Sequence, residues 1–221
     1  MKKIIHLKSC DSTQEVLKEQ LSLNPSDDLI ISCDHQLKGH GRGDHKWIDT
    51  PGTLCFSMSI QAFKIPSFTA MEIAVIIGKF FETKNKNILL KWPNDLINLS
   101  GKKCGGILIQ SRGNVYLAGI GLNLYYEGKD FGGVYDYSFE IDKEKWAKEI
   151  SEYIYNHRFE DAESLTPEWI KMCAHLNKEV EISDQDQINR GIFIGLGAFG
   201  EAILNTGKEL KSIYNGSLKL I

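Results

Sequence analysis

The chain has 221 residues, 42% of them hydrophobic and 25% charged, with a formal net charge of −3. That length suits one catalytic domain plus a small second module, and its apolar content can build a core, which excludes disordered and fibrous classes. The slightly acidic balance gives no global basic field, so no nucleic-acid partner is expected.

Cys10, Cys33, Cys55, Cys104 and Cys173 are scattered and contain no Cys-x-x-Cys pair. They resemble neither a disulfide framework nor a zinc site, which fits a reducing, cytoplasmic setting. Met1-Lys2-Lys3 precedes only a short apolar pair, and no run approaches the ~18 apolar residues of a spanning helix. Neither a signal peptide nor a membrane anchor is expected.

In chain order, Lys3 to Leu7 reads as a short strand. Ser12-Thr13-Gln14-Glu15 fits a Ser-x-x-Glu capping box, opening a helix that carries Val16, Leu17 and Leu21 and ends near Asn24-Pro25. Leu29 to Cys33 is a buried strand, and Lys38 to Gly43 is a polar, glycine-rich loop. Leu54, Phe56, Met58 and Ile60 alternate with Cys55, Ser57 and Ser59, the period of a half-buried strand. Ser67 to Glu82 has helical spacing through Phe68, Met71, Val75 and Phe81. Ile88 to Leu90 is the next strand, turned by Pro93-Asn94-Asp95. Strand-like runs follow at Asp95 to Asn98, Cys104 to Gln110 and Val115 to Ile120, separated by turns at Ser100-Gly101 and Arg112-Gly113-Asn114. Helices return at Lys143 to Tyr155 and at Pro167 to Leu176, the latter with Thr166 as N-cap.

From Asn177 onward the pattern changes to short alternating segments, Glu179 to Ile182, Ile192 to Leu196 and Glu201 to Leu204, broken by Gly197, Gly200 and Gly207. A boundary near Leu176 therefore separates residues 1–176 from a small β unit, 177–221. The fold class is α+β, with a small barrel behind the main domain.

Four clusters carry chemistry. Gly39-His40-Gly41-Arg42-Gly43 lets backbone N–H groups converge on an anion beside a fixed charge, and equally fits a flexible surface loop. Lys91-Trp92-Pro93-Asn94-Asp95 packs a cation, an aromatic, an amide and a carboxylate onto one rigid turn, although Trp92 in the core and Asp95 capping the turn would also account for it. In Gly101-Lys102-Lys103-Cys104-Gly105-Gly106-Ile107-Leu108 a lysine stands at the mouth of a strand, where solvation is its ordinary fate. Gly119-Ile120-Gly121-Leu122-Asn123 is a strand whose small residues admit either a ligand or close packing.

Taken in order, Ser12-Thr13, Gln36, the glycine loop with Trp47, and the last three clusters closely resemble the biotin–protein ligase family over Ser12 to Asn123. The resemblance implies a class II synthetase-like biotin/lipoate ligase fold: a mixed central sheet flanked by helices, with a C-terminal SH3-like β-barrel. It implies ATP and biotin as substrates with Mg²⁺, and formation of biotinyl-5′-AMP. Biotin then passes to a lysine of a biotin carboxyl carrier protein, or of the equivalent domain of a biotin-dependent carboxylase. Ser12, Thr13, Gln14 and Gln36 would hydrogen-bond the polar, uncharged ureido ring. Gly39, His40, Gly41 and Arg42 would close over the carboxylate and phosphate, and Lys103 would bridge the two anions. Arg42, Trp47, Asn94, Lys103 and Asn123 would hold the nucleotide, and Asp95 would support the metal, the phosphate-binding lysine or the incoming amine. Arg42, Lys103 and Asp95 are thus the catalytic set. No metal ligand is assigned to the protein.

The chain departs from the family pattern at His40, where a permanent cation is usual, and at Asp44 and His45. Ser-Thr-Asn is here Ser-Thr-Gln, so Gln14 supplies its amide from one methylene farther out. Cys33, Asp34, His35, His40, Asp44 and His45 crowd together, but their spacings match no zinc pattern. With Ser12-Thr13 so early in the sequence, no N-terminal DNA-binding domain, and so no repressor role, is expected. The alternatives are a lipoate or octanoate ligase of related fold, whose usual Gly-Gly-Gly loop is missing, and a non-catalytic biotin-binding sensor. Exposed strand edges leave a homodimer open.

Overall fold

The computed structural model describes residues 3–23, 28–43, 45–112, 115–184 and 187–221. The expected helix end at Asn24-Pro25, Asp44, and Gly113-Asn114 of the expected turn lie outside the described residues.

The frame is a seven-stranded mixed sheet. Its strands are β1 (Lys3–Cys10), β2 (Leu29–Gln36), β3 (Thr53–Ile60), β4 (Leu89–Lys91), β5 (Asp95–Ile97), β6 (Lys103–Arg112) and β7 (Val115–Asn123), in the order β1-β2-β3-β7-β6-β5-β4. Only β1 and β2 are parallel, and helix α1 (Thr13–Leu23) makes the crossover that a parallel pair requires.

Alternation along β3 sorts the two faces. Leu54, Phe56, Met58 and Ile60 join Ile107, Ile120 and Leu122 in the main core, against α2 (Thr69–Thr83) and α3 (Lys143–Asn156). Cys55, Ser57 and Ser59 point the other way and are buried too, where half-burial was expected. The reason is tertiary: Thr13 and Gln14 of α1 hydrogen-bond Ser57, and Leu17 and Leu21 close a smaller core with Leu29, Ile31 and Leu117. A polar strand face is tolerated there because its hydroxyls find partners.

Helix α2 is apolar almost all round, sandwiched between the sheet, α3 and α4 (Ala162–Met172). Its one buried acid, Glu72, is held by Arg158 at 2.7 Å and by the Phe159 N–H at 3.0 Å. Helix α4 corrects an expectation. It starts at Ala162, capped by Asp161 accepting from the Ser164 N–H at 2.9 Å, and Pro167 lies inside it rather than at its first position. The Asp161 cap wins over Thr166, and the helix runs through a proline whose missing N–H costs it one bond. The capping box at α1 does not close either. Among the described residues the Ser12 hydroxyl has no hydrogen-bond partner, although the Ser12 carbonyl accepts the Val16 N–H.

The C-terminal stretch forms a second, antiparallel sheet of β8 (Glu179–Asp184), β9 (Gln187–Leu196), β10 (Ala202–Asn205), β11 (Leu210–Ile213) and β12 (Ser217–Leu220), ordered β11-β10-β9-β8-β12. Val180, Ile182, Phe193, Leu204 and Leu218 belong to the same hydrophobic core as α2 and β3. Trp92, fully buried, donates its indole N–H to the Gly200 carbonyl at 3.0 Å and so bolts the β4–β5 turn to this second sheet. Among the described residues no helix is long and apolar enough to cross a membrane.

Candidate functional site

The sheet face that carries Cys55, Ser57, Gly119 and Gly121 is only partly covered by α1, and a cleft of about 730 Å³ remains over it. Its two ends differ chemically.

One end is neutral and wired together. Gln36 at the end of β2 accepts from Thr13 twice, from N–H at 2.9 Å and Oγ1 at 3.1 Å. Thr13 Oγ1 meets Ser57 Oγ at 2.8 Å, Ser57 donates to Gln14 Oε1 at 3.2 Å, and Gln14 Nε2 donates to the Leu117 carbonyl at 3.2 Å. Thus β2, α1, β3 and β7 are tied by one chain of side chains that lines the cleft. The small residues of β7 make this arrangement fit. A Cβ on Gly119 would lie 2.1 Å from Gln14 Oε1, and one on Gly121 would lie 2.5 Å from the Trp47 ring. The protein's own side chains therefore take up the room those glycines leave.

The other end is charged. The β4–β5 turn, whose Trp92–Pro93 bond is cis, brings Lys91 and Asp95 opposite each other. Asp95 Oδ1 meets Lys103 Nζ at 2.5 Å and Asp95 Oδ2 meets Lys91 Nζ at 2.9 Å. Burial opposes ionisation of Asp95, but Lys103 and Lys91 outweigh it and hold the carboxyl below the usual range. Asn94 donates Nδ2 to the Ile107 carbonyl at 2.7 Å and accepts from Arg42 Nη1 at 3.2 Å. Arg42 also donates to the Gly216 carbonyl at 3.2 Å, so its guanidinium rests between the β4–β5 turn and the segment leading into β12. The glycine loop itself folds into a narrow ribbon, with the Gly41 N–H on the His45 carbonyl at 2.7 Å and the Trp47 N–H on the Gly39 carbonyl at 2.9 Å.

Ser12, Thr13, Gln14, Gln36, His40, Gly41, Arg42, Trp47, Asn94, Asp95, Lys103 and Asn123 all line this one cleft. Gly39 does not. It is packed so closely that a Cβ would stand 2.6 Å from Gln36 Nε2 and 2.8 Å from the Trp47 carbonyl. Asn123 Oδ1 accepts from Thr53 at 3.1 Å. Sequence reasoning missed Ser57, Tyr126, Phe131 and the residues of the second sheet that reach the cleft, Ser183, Asp184 and Asn215 to Leu218. Only Ser57 had a visible signal, as a polar residue in an alternating strand; the others are brought in by docking of the second sheet and by the loop after β7. Cys55 also lines the cleft, but burial pushes its thiol up to about 12, which excludes a thiolate nucleophile at neutral pH.

Among the described residues no group of three or more His, Cys, Asp or Glu is placed to hold a metal ion. His35 is turned to Asp49 at 3.1 Å and His6 to Asp34 at 3.2 Å, so the crowding near Cys33 disperses in three dimensions.

A mixed sheet bearing a cleft with a neutral, hydrogen-bonding end and a cationic end under a glycine loop defines a domain whose cleft is suited to a polar ligand beside an anionic one. The model of the biotin/lipoate A/B protein ligase family matches residues 7–125, and the chain belongs to that family. The bifunctional ligase/repressor BirA of Bacillus subtilis is 23% identical over 232 residues, covering 95% of this chain and 71% of that protein. The biotin–protein ligase of Schizosaccharomyces pombe is 26% identical, covering 90% of this chain but only 38% of its own length. Among solved structures, a biotin protein ligase from Aquifex aeolicus in complex with biotin and ATP superposes with a TM-score of 0.84 at 26% identity, covering both chains in full.

Proposed function

We propose that this chain is a biotin–protein ligase, which joins biotin to ATP as biotinyl-5′-AMP and transfers the biotinyl group to a lysine. The observation that carries the reading is the union, in one cleft, of the Thr13–Gln14–Gln36–Ser57 network with the Asp95–Lys103 ion pair, which Lys91 joins from outside the lining. A ureido ring is polar and uncharged and suits the first; a carboxylate meeting an α-phosphate needs the second.

In this reading Ser12, Thr13, Gln14 and Gln36 orient biotin, and the free Ser12 hydroxyl and the Gln36 amide supply ring contacts. Arg42 and Lys103 neutralise the carboxylate and the α-phosphate as the carboxylate oxygen attacks phosphorus and pyrophosphate leaves. Asn94, Asn123 and Trp47 border the nucleotide. The acyl adenylate is a mixed anhydride that water would hydrolyse, and the loop around Gly41 and Arg42 shields it. The amine of a carrier lysine then attacks the acyl carbon, loses a proton, and AMP departs. Both Asp95 oxygens are engaged by lysines, so Asp95 serves the cations rather than a metal. Among the described residues Asp184 is the other carboxylate lining the cleft; Mg²⁺ held by the ATP phosphates would add to the neutralisation of charge there.

The carrier in this proposal is the biotin carboxyl carrier protein or domain of a biotin-dependent carboxylase, and the setting is cytoplasmic. Residues 1–176 form the catalytic unit and 177–221 the second unit, sharing one core. Where copies associate, the half-exposed edge strand β1 is the surface offered.

The polar neutral end disfavours lipoate or octanoate, whose acyl chains lack partners for these groups. Pyrophosphate release on adding ATP with biotin, but not with lipoate, is the expected result. Release with lipoate alone would overturn the substrate, and no release with either would leave a binding protein.

A further inference from the structure

Lys91 stands outside the cleft lining, yet it touches the carboxylate that touches Lys103. Its place is fixed by the fold: it ends β4, and its Cα partner across the turn is Asp95, the first residue of β5. The register of β5 on β6 then brings Asp95 beside Gly106, with Lys103 reaching back to the same carboxylate. A lysine shared with one aspartate alone is a neutral pair. An anion approaching such a pair gains little, because the carboxylate's repulsion nearly cancels the ammonium's attraction.

Here the carboxylate is divided between two lysines, one on each oxygen, so the cluster carries a net positive charge. We infer that Lys91 is a positioning residue for adenylate formation: it pins the Asp95 carboxylate from behind, leaving Lys103 oriented by that carboxylate but still effectively cationic toward the cleft. The environment around Lys91 suits this role. Asp95 is its ionic partner, at 2.9 Å. The neighbouring ring of His175 is fully buried, and burial first, then the positive charges of Lys91 and Lys178, pushes its pKa down to about 3. A neutral imidazole behind the lysine neither competes for Asp95 nor adds a repelling charge at working pH.

This inference rests on the ligase reading for its reaction, but its first test needs only an anion. Calorimetric titration with inorganic pyrophosphate, on the whole chain, compares wild type with Lys91→Met, Lys91→Arg and the double variant Lys91→Met/Asp95→Asn. Lys91→Met makes the cluster neutral and should weaken pyrophosphate binding about tenfold, while Lys91→Arg keeps the charge and should stay within about threefold. The double variant restores one net positive charge and should bind pyrophosphate more tightly than Lys91→Met. Thermal melting of each variant reports whether it is folded.

The same variants then enter adenylate formation with biotin and ATP, where Lys91→Met should lower kcat more than it raises the KM for biotin. Wild-type binding of pyrophosphate without adenylate formation would sink the ligase reading and leave the charge argument standing. Three results would overturn the role of Lys91: wild type that does not bind pyrophosphate, Lys91→Met that binds it as wild type does, or a double variant weaker than Lys91→Met. Equal losses in Lys91→Met and Lys91→Arg, with a lowered melting temperature in both, would reduce Lys91 to packing.

Discussion

The two ends of the cleft are built on opposite principles. At the neutral end the contacts are between uncharged groups, buried or partly buried, and mostly paired within the protein, so a ligand there would meet a template whose spare donors and acceptors are few and fixed. At the charged end the groups are largely buried ions, and the Arg42 guanidinium is parked on two neutral oxygens, of Asn94 and of Gly216. A neutral template selects by geometry and is sensitive to a single misplaced atom. A charged cluster supplies rate and is sensitive to charge count. Substitutions at the two ends should therefore fail in different ways.

The largest effect is expected at the charged end. Lys103→Ala should lower the rate of adenylate formation about 30- to 1000-fold, equivalent to about 2–4 kcal/mol in the transition state, with melting temperature little changed. Near-native pyrophosphate exchange by this variant would break the assignment of Lys103.

Next is Gly119→Ala at the neutral end. The new Cβ would meet Gln14 Oε1 at 2.1 Å, so Gln14 must move and give up its bonds to Ser57 and Leu117. Losing two buried hydrogen bonds of about 1 kcal/mol each predicts a 10- to 30-fold loss of biotin affinity, with pyrophosphate affinity untouched. Equal losses for biotin and pyrophosphate in calorimetry would show that the two ends do not act separately.

A smaller effect is expected from Arg42→Gly, which removes the contacts to Asn94 and Gly216 that pin the glycine loop. At about 1–2 kcal/mol for the lost contacts, the acyl adenylate should escape about 5- to 30-fold faster and label lysines of bystander proteins. A variant that forms adenylate but labels bystanders no more than wild type does would contradict the latch.

The last prediction concerns the wall behind the charged end and is read in stability, not rate. His175 is buried as the neutral base, its pKa lowered from 6.5 to about 3 by burial first and by the nearby Lys91 and Lys178 charges next. The unfolded chain takes up the proton below about pH 6.5 and the folded chain does not until about pH 3, so this site destabilises the fold progressively as pH falls between those values. The aromatic replacement His175→Phe, set among Trp169 and Phe193, should move the acid-unfolding midpoint to lower pH. An unchanged midpoint would show that His175 takes no part in acid unfolding.

Much of the site was legible because its residues lie in short, dense clusters. Arg42, Asn94, Asp95, Lys103 and Asn123 could each be named from a local pattern, and the cleft gathers them. What local patterns could not reveal is pairing across long separations. Ser57 meets Gln14 forty-three positions away, and Gly216 meets Arg42 at a separation of 174. Nothing near Lys91 in sequence says that it shares a carboxylate with Lys103. The strand β3 shows the same limit in the fold: its alternation correctly separated two faces, but whether the polar face met water or α1 depended on a helix forty residues upstream. At α4 two capping residues competed, and Asp161, which accepts the Ser164 N–H, prevailed over Thr166 and left Pro167 inside the helix. The strands β11 and β12 are four residues each and mostly exposed, too short for a period to show.

The central claim is most directly tested by weighing the product. The whole protein is incubated with biotin, Mg-ATP and a biotin carboxyl carrier domain, and the carrier's mass is measured before and after. The account predicts the gain of one biotinyl group, confined to a single carrier lysine and absent without ATP. A carrier of unchanged mass, from a protein shown to be folded and to bind biotin, would contradict it.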